Sequence, residues 1–252
     1  MRVLSILIIK NGKCSTDIKD IIGDVFNNMS SKSKKIDKLN IKIIHSSKIN
    51  DEFALNVKNK FDGIIILGGS QSLTNRFETN YKYPYLNKLI DYVRTWIDEN
   101  IHILGICLGS QIIAEALGHK TKSLNYVEAG YQKDIQLIKD LNDDKLIKPN
   151  IYNKLNHVFS LHNDYSDISK KSEIKILGTI KDRNNNDIPY IFKIKNAYGL
   201  QFHPETTVNI IKLYNKKLAF DEDIIDYAKE HTKYIDETSK ILFTNWLEIL
   251  AQ

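Results

Sequence analysis

Hydrophobic positions in the first half of the chain follow two alternating patterns. Residues 63–67 and 101–106 are continuous apolar runs, typical of strands that are buried on both faces of a sheet. Residues 86–100 instead carry apolar side chains at helical spacing. Further strands are predicted at 2–10 and 39–45, and further helices at 16–29, 52–59 and 108–117. Strands that alternate with helices predict a parallel sheet with right-handed crossovers, and therefore a doubly wound α/β fold with helices on both faces.

The second half of the chain has shorter and less regular segments. Brief β-like stretches alternate with loops rich in Asn, Asp and Lys, and we expect a small antiparallel β addition there. These stretches lie at 134–138, 158–161, 174–180, 190–194 and 198–202. From Thr206 onward the pattern is helical, and Trp246 and Leu250 lie on one face of the last predicted helix. Because no repeat or linker interrupts the chain, we predict one domain over 1–252, with a helical C-terminal extension at 206–252.

Composition narrows the classes of function. Of the 252 residues, 42% are hydrophobic and 27% are charged, so a sizeable core is expected. The net charge of +5 comes from scattered lysines, and the one cluster, at 32–35, lacks the interleaved aromatic residues of a nucleic-acid surface. The apolar run at 2–10 is too short to span a bilayer, and no signal-peptide cleavage site follows it. Cys14 and Cys107 form neither a disulfide framework nor a zinc-finger spacing, so we predict a reducing, cytoplasmic setting and no metal site.

A turn between a predicted strand and a predicted helix carries the candidate nucleophile. Gly105, Cys107 and Gly109 form a G-x-C-x-G spacing at that junction. A sharp strand-to-helix turn crowds the backbone beside its central residue, and only glycine fits there without a clash. The thiol is then presented at the carboxyl end of the sheet, next to the electropositive start of a helix. The alternative is a buried structural cysteine, the usual role of a lone cysteine in an apolar run, and Cys14 has no comparable context.

A thiol nucleophile needs a base, and His203 has the most suitable neighbours of the seven histidines. Residues two apart in extended backbone point to the same side, which places Glu205 beside His203. Pro204 stiffens the spacer between them. Taken alone, His-x-Glu is usually a surface pair, and it gains weight because the nucleophile turn precedes it.

The third expected part is a pair of backbone donors for an oxyanion. The strand at 63–67 ends in Gly68 and Gly69, which allow outward-pointing N–H groups. Together with the amide of Leu108, directly after the nucleophile, they form a candidate oxyanion hole. A glycine-rich turn without such a partner explains the same residues equally well.

Five segments follow one another in a characteristic order. They are 68–70 (Gly-Gly-Ser), 104–111 (Leu-Gly-Ile-Cys-Leu-Gly-Ser-Gln), 128–131 (Glu-Ala-Gly-Tyr), 160–164 (Ser-Leu-His-Asn-Asp) and 201–205 (Gln-Phe-His-Pro-Glu). Together they resemble the class I (triad) glutamine amidotransferase family. Within that family the chain is similar to the stand-alone GMP-synthase-like branch, which includes the plant γ-glutamyl peptidases. Residues 139–157 match no part of the family that we recognise.

The resemblance implies a flavodoxin-like fold and a reaction at a γ-glutamyl amide, either of glutamine or of a γ-glutamyl peptide. Cys107 would be the nucleophile that forms a γ-glutamyl thioester, His203 the base and then the acid, and Glu205 the carboxylate that orients the imidazole. The reaction requires no metal and no organic cofactor.

The same resemblance implies roles around the substrate. Gly69 and Leu108 would supply the oxyanion hole. Gln111, one helical turn beyond the nucleophile, would face the substrate's amino-acid end. A loop made of His162, Asn163 and Asp164 would close over the substrate backbone, although Gln111 as an exposed helix residue and Asp164 as a turn-former are the plainer alternatives.

Four functions remain open on the sequence alone. The first is a self-contained γ-glutamyl hydrolase, and the second is a glutaminase that delivers ammonia to a separate synthase partner. The helical extension favours the first, because it resembles that of the peptidase branch. The third is a degenerate, non-catalytic binding module, which an intact Cys/His/Glu set argues against. The fourth is a redox-chaperone-type protein with a cysteine elbow, which the downstream His-x-Glu argues against.

Overall fold

The computed structural model of the chain describes residues 2–12, 22–23, 27, 38–132, 134–138, 141, 143–168, 173–218 and 222–252. Most of the helix predicted at 16–29 lies outside the described residues, as do Cys14 and the lysine cluster at 32–35. In the described part, no helix is both long enough and apolar enough to cross a membrane.

Ten strands of the described chain form two sheets. They are β1 (Val3–Lys10), β2 (Lys38–His45), β3 (Gly63–Ile66), β4 (His102–Ile106), β5 (Lys120–Gln132), β6 (Gln136–Leu137), β7 (Val158–Asp167), β8 (Lys175–Lys181), β9 (Asp187–Ile194) and β10 (Ala197–Leu200). Eight of them form the main sheet in the order β2-β1-β3-β4-β10-β9-β8-β6. The first five strands in this order pair in parallel, and β9, β8 and β6 extend the sheet with antiparallel pairings. The predicted doubly wound, mostly parallel sheet is therefore confirmed.

Helices cover both faces of this sheet. They are α1 (Asp51–Leu55), α2 (Val57–Lys60), α3 (Tyr85–Asp98), α4 (Leu108–Ala116), α5 (Val208–Leu218), α6 (Glu222–Glu230) and α7 (Thr232–Leu250), with 3₁₀ turns at Ser46–Lys48 and Pro149–His157. Side chains alternate across β1: Ile6 and Ile8 share a buried cluster with Trp246 of α7, whereas Leu7 and Ile9 pack with the apolar faces of α3 and α4. This alternation explains why the buried strands read as continuous apolar runs.

The last helix closes one face of the sheet tightly. Trp246 and Leu250 are almost fully buried, as expected from their shared helix face. A methyl group added at Gly63 of β3 would lie 2.8 Å from a Leu250 methyl carbon and 2.9 Å from the Trp246 ring. The absence of a side chain at this position therefore allows α7 to pack directly on the strand that leads to the candidate site.

The smaller sheet pairs β5 with β7. It contains one strand that was not predicted, and it shows that one prediction was wrong. β5 was not predicted as a strand, because most of its side chains are exposed or half-buried and leave no alternating apolar face. The strand predicted at 158–161 continues to Asp167, so His162, Asn163 and Asp164 lie on strand β7 and not on a loop. In this pairing His162 is opposite Glu128, and Asp164 is opposite Ser123.

Candidate active site

The nucleophile turn has the strained geometry that the glycine spacing predicts. Cys107 joins β4 to α4 with φ of 52° and ψ of −111°, in the left-handed half of backbone space that side-chain-bearing residues rarely adopt. A methyl group added at Gly109 would overlap the carbonyl group of Ile66, and one added at Gly105 would lie 2.5 Å from the carbonyl oxygen of Gly109. Gly109 thus lets the turn pack against the neighbouring strand β3, and Gly105 lets the end of β4 pack against the start of α4.

Three neighbouring parallel strands deliver the site residues to one edge of the sheet. β3, β4 and β10 are adjacent, and each one ends close to a predicted site residue. Gly68 follows β3, Cys107 follows β4, and His203 follows β10. In open α/β sheets this carboxyl edge is where ligands bind.

Cys107, His203 and Glu205 form a continuous array. Nδ1 of His203 lies 2.8 Å from Oε1 of Glu205, and the Cys107 side chain lies beside the same imidazole, close enough to raise its pKa. Burial alone would lower the pKa of His203, but the Glu205 carboxylate and then the Cys107 side chain outweigh it and hold this pKa well above its usual value. The imidazole is therefore charged near neutral pH, and an adjacent imidazolium stabilises a thiolate.

Backbone contacts fix the position of the imidazole. The N–H of His203 donates to the carbonyl of Phe159 in β7 at 2.8 Å, and Oγ1 of Thr206 donates to the carbonyl of His203 at 2.6 Å. The first bond ties the main sheet to the small sheet, and the second closes the turn that contains Glu205. Together these two hydrogen bonds hold the backbone that carries His203 and Glu205.

Gly68 makes room for the Cys–His contact. A methyl group added there would lie 2.9 Å from Cε1 of His203 and 3.2 Å from Cβ of Cys107. Glycine is therefore required at this position by the close approach of the two reactive side chains. Sequence analysis had interpreted Gly68 only as a residue that allows outward-pointing N–H groups for an oxyanion hole.

The two candidate oxyanion residues are neighbours. A methyl group added at Gly69 would lie 3.2 Å from a side-chain carbon of Leu108. Leu108 is the first residue of α4, where a backbone N–H has no partner within the helix. The predicted pairing of Gly69 with Leu108 is therefore sterically consistent, and their use as oxyanion donors stays a prediction.

Two residues that sequence analysis missed brace this turn. Asn11, just beyond β1, donates its side-chain amide to the carbonyl of Leu67 at 2.7 Å, and Gln71 donates to the backbone carbonyl of Asn11. Asn11 is buried, and a methyl group at Gly69 would overlap Gln71. No local pattern marks these residues, because they act through contacts between distant parts of the chain.

Gln111 is buried, and its amide is engaged by the protein. Nε2 of Gln111 lies 3.0 Å from the carbonyl oxygen of Asp164 and 3.4 Å from Oε1 of Gln201. The alternative of an exposed helix residue is therefore wrong, since Gln111 is only 3% exposed. Its contact with the substrate stays a prediction.

His162, Asn163 and Asp164 of β7 lie on a second side of the candidate site, which we call the β7 wall. Nδ1 of His162 bonds the carbonyl of Asp164, while its Nε2 is buried without a hydrogen-bond partner in the described chain. Burial, together with the charge of nearby His203, lowers the pKa of His162 to about 4. Burial raises the pKa of the Asp164 carboxyl, and a hydrogen bond with Ser72 opposes that rise. Asn163, between them, is exposed.

Among the described residues, no group of three or more His, Cys, Asp or Glu side chains is arranged to hold a metal ion. What the arrangement offers is a thiol, a charged imidazole with a carboxylate behind it, and backbone amides at a helix start. These are the functional groups that nucleophilic attack on a carbonyl group requires.

Known proteins share both the sequence pattern and the fold. The profile described as "Glutamine amidotransferase class-I" matches residues 17–220, more than half of the chain. A glutamine amidotransferase-like protein of Acanthamoeba polyphaga mimivirus is 31% identical over 192 residues, which cover 76% of this chain and 78% of the relative. The glutamine-hydrolyzing GMP synthase of Wigglesworthia glossinidia brevipalpis is 28% identical over 71% of this chain, which spans only 33% of that synthase. The crystal structure of a glutamine amidotransferase from Thermotoga maritima superposes with a TM-score of 0.65 over 99% of this chain and 98% of its own, at 18% identity, which shows a shared fold.

Proposed function

The chain belongs to the class I glutamine amidotransferase family, and we propose that it hydrolyses the γ-glutamyl amide of glutamine or of a γ-glutamyl compound through a thioester on Cys107. The observation that carries the proposal is the continuous array in which His203 bonds Glu205 and lies beside Cys107 at the carboxyl edge of the sheet. The family relationship supplies the substrate class, and the array supplies the groups that the chemistry needs.

In the first half of the reaction, the Cys107 thiolate attacks the γ-carbonyl carbon of the substrate. The carbonyl oxygen takes the negative charge of the tetrahedral intermediate, and the N–H groups of Gly69 and Leu108 stabilise it. His203, charged because of Glu205, gives its proton to the departing amine, and the C–N bond breaks. A γ-glutamyl thioester and a free amine result.

In the second half, a water molecule attacks the thioester carbonyl. His203, now neutral, takes a proton from this water, and the C–S bond breaks to release glutamate and the Cys107 thiolate. Glu205 holds the imidazole in one orientation through both steps because its carboxylate accepts from Nδ1. We propose that Gln111, His162, Asn163 and Asp164 hold the amino-acid end of the substrate meanwhile.

A second candidate is a glutaminase that passes ammonia to a separate synthase. The Wigglesworthia relative is named a glutamine-hydrolyzing GMP synthase, and this chain spans only a third of it. Under this proposal, the synthase chemistry that the rest of that relative performs would come from another protein. The two candidates share the Cys107 chemistry and differ in the leaving group and the need for a partner.

Covalent labelling tests the shared chemistry directly. The protein is incubated with a diazo-ketone analogue of glutamine, and the labelled peptide is mapped by mass spectrometry. We expect one adduct on Cys107 that is absent from Cys107→Ala, with the Cys14 peptide unmodified. An adduct on Cys14 alone, or none at all, contradicts the proposal and favours a non-catalytic binding module.

Product assays then separate the two candidates. Glutamine and a series of γ-glutamyl peptides are supplied to the protein alone, and released ammonia, amine and glutamate are measured. Turnover of γ-glutamyl peptides without a partner supports the self-contained hydrolase. Turnover restricted to glutamine, and raised by an added synthase, supports the ammonia-delivering glutaminase.

A further inference from the structure

Gln201 contacts the sulfur of the candidate nucleophile, a position that none of the proposed roles uses. It lies between β10 and His203 and is 2% exposed. Nε2 of Gln201 is 3.9 Å from Sγ of Cys107, within the range of a hydrogen bond to sulfur. Its backbone N–H donates to the carbonyl of Tyr190 at 2.9 Å, which fixes the start of the side chain.

A chain of hydrogen bonds determines which end of the Gln201 amide faces the sulfur. The backbone carbonyl of Asp164 can only accept, so the group of Gln111 that lies 3.0 Å from it is the NH₂ group. The same NH₂ group reaches Oε1 of Gln201 at 3.4 Å. With its oxygen held by Gln111, Gln201 turns its own NH₂ group toward Cys107. The orientation of the Gln201 amide thus follows from the Asp164 carbonyl, which can only accept and which is connected to Gln201 through Gln111.

A second polar group near the sulfur is an acceptor and not a donor. Sγ of Cys107 lies 3.8 Å from the carbonyl oxygen of Leu161, a group that accepts from a neutral thiol and repels a thiolate. A donor is needed to compensate that carbonyl when the sulfur is charged. The N–H of Gln201 is such a donor, and donation to a charged acceptor is stronger than donation to a neutral one.

We propose that Gln201 stabilises the Cys107 thiolate by donating a hydrogen bond from its side-chain amide, with Gln111 and the Asp164 carbonyl holding that amide in the donating orientation. The inference rests on the proposed function, in which Cys107 is the nucleophile. It gives Gln201 a role at the reacting sulfur. It also connects Asp164 of β7 to Cys107 through the side-chain amides of Gln111 and Gln201.

The titratable groups around the sulfur come from three elements. His203, after β10, interacts with the Cys107 side chain and is itself bonded to Glu205. Tyr190 of β9 is close enough to interact with the Cys107 charge, and its hydroxyl is bonded to Ser160. His162 of β7 is close to His203 and is neutral near pH 7. These groups are present both in the wild type and in a Gln201 variant. A difference between the two alkylation midpoints therefore reports the change at Gln201.

The test measures the sulfur without turnover. Cys107 is alkylated with iodoacetamide across a pH series, the modified peptide is quantified by mass spectrometry, and the Cys14 peptide is the internal reference. For Gln201→Met, which has no donor, we expect the alkylation midpoint to rise by about one pH unit, the scale of a hydrogen bond to a charged group. For Gln201→Glu, which has the same shape but places a carboxylate oxygen at the sulfur, we expect a larger rise.

Matched variants make the outcome decisive. Gln136→Met alters an exposed glutamine on β6, three strands away from β10, and should leave the midpoint unchanged. Midpoints of Gln201→Met and Gln201→Glu equal to that of the wild type would overturn the inference. Should Gln201→Met fail to fold by circular dichroism, Gln201→Glu decides alone. A shifted midpoint in a protein that hydrolyses no γ-glutamyl compound would leave the thiolate contact standing and remove the proposed function.

Discussion

The candidate site has two walls, and their polar groups are paired in different ways. The nucleophile wall, formed by Gly68, Cys107, His203 and Glu205, follows strands of the main sheet. Its polar side chains are paired with one another, because His203 bonds Glu205 and lies beside Cys107. The β7 wall, formed by His162, Asn163 and Asp164, belongs to the small sheet. It contains a buried ring nitrogen without a partner in the described chain and an exposed amide.

The two histidines show the difference most clearly. The pKa of His203 rises because its carboxylate partner overcomes the effect of burial. The pKa of His162 falls to about 4 because of burial and the nearby charge of His203, and no carboxylate among the described residues opposes this fall. One is held charged and the other neutral within the same site. The polar groups of the nucleophile wall are thus paired within the chain, while the β7 wall has polar groups that are unpaired or exposed. Oε2 of Glu205 is the exception on the nucleophile wall, because it is buried and has no hydrogen-bond partner among the residues that the structure describes.

The largest effect is expected from a single methyl group in the nucleophile wall. In Gly68→Ala the new carbon would lie 2.9 Å from the His203 ring and 3.2 Å from Cβ of Cys107, so one of the two must move. Because both reactive groups depend on this contact, we expect kcat/KM for the preferred γ-glutamyl substrate to fall about a thousandfold.

The matched control for this change is Gly12→Ala, where an added methyl group meets nothing within 4 Å. It should retain wild-type kinetics. A Gly68→Ala protein with undiminished kcat/KM would show that the Cys–His approach is not needed for the reaction.

The second effect is a pH dependence of stability that belongs to the β7 wall. Because His162 titrates near pH 4 when folded and near 6.5 when unfolded, the unfolded state binds more protons between these values. Its stabilising contribution is therefore complete above pH 6.5 and is lost as the pH falls toward 4, a loss of about 3 kcal/mol. Urea unfolding at several pH values measures it.

His203 contributes in the opposite direction and in a different window. Its raised pKa gives stability that is complete below pH 6.5 and is lost as the pH rises through the folded-state pKa. His162→Gln should therefore flatten the acid side of the stability profile and leave the alkaline side unchanged. Asn163→Ala, which keeps His162, should retain the acid slope, and an unchanged slope in His162→Gln would refute this account.

The third effect separates the charge of His203 from its position. Glu205→Gln keeps a hydrogen-bonding group beside Nδ1 but removes the carboxylate charge that raises the pKa of His203. We expect kcat to fall about a hundredfold, the usual range for impaired general acid–base catalysis. The alkaline limb of the pH–rate profile should also move to lower pH, because the imidazolium loses its proton earlier.

Glu52→Gln, an exposed change on α1, is the control for Glu205→Gln and should alter neither kcat nor the profile. A Glu205→Gln enzyme with reduced kcat and an unmoved alkaline limb would mean that Glu205 acts through shape alone.

The two walls also differed in how far the sequence predicted them. The nucleophile wall was predicted from local rules. The glycines around Cys107 reflect backbone crowding within one turn. Glu205 lies beside His203 as predicted, but the backbone there forms a turn and not the extended chain from which the prediction was made. The residues of the β7 wall came only from family resemblance, and they were assigned to a loop. Their strand is defined by pairing with β5, whose sequence lacks an apolar face.

Contacts between residues far apart in the sequence could not be predicted from local sequence patterns. Gln201 meets Cys107 across 94 positions of the chain, and Asn11 reaches Leu67 across 56. Such contacts depend on which strands become neighbours and on side-chain rotamers, neither of which a spacing rule encodes. The parallel pairing in the main sheet, in contrast, follows from alternating strands and helices. This is why the fold class was predicted correctly while the bracing residues were not.

The smallest expected effect tests whether the β7 wall meets the substrate at all. Asn163 is exposed and flanked by the two buried residues His162 and Asp164. If its amide bonds the amino-acid end of the substrate equally in the ground state and the transition state, Asn163→Ala should raise KM about fivefold, the value of one neutral hydrogen bond, and leave kcat unchanged. Steady-state kinetics of the wild type and the variant measure this split. A fall in kcat at constant KM would instead place Asn163 with the nucleophile wall, and the division of the site into a self-paired wall and a ligand-pairing wall would have to be redrawn.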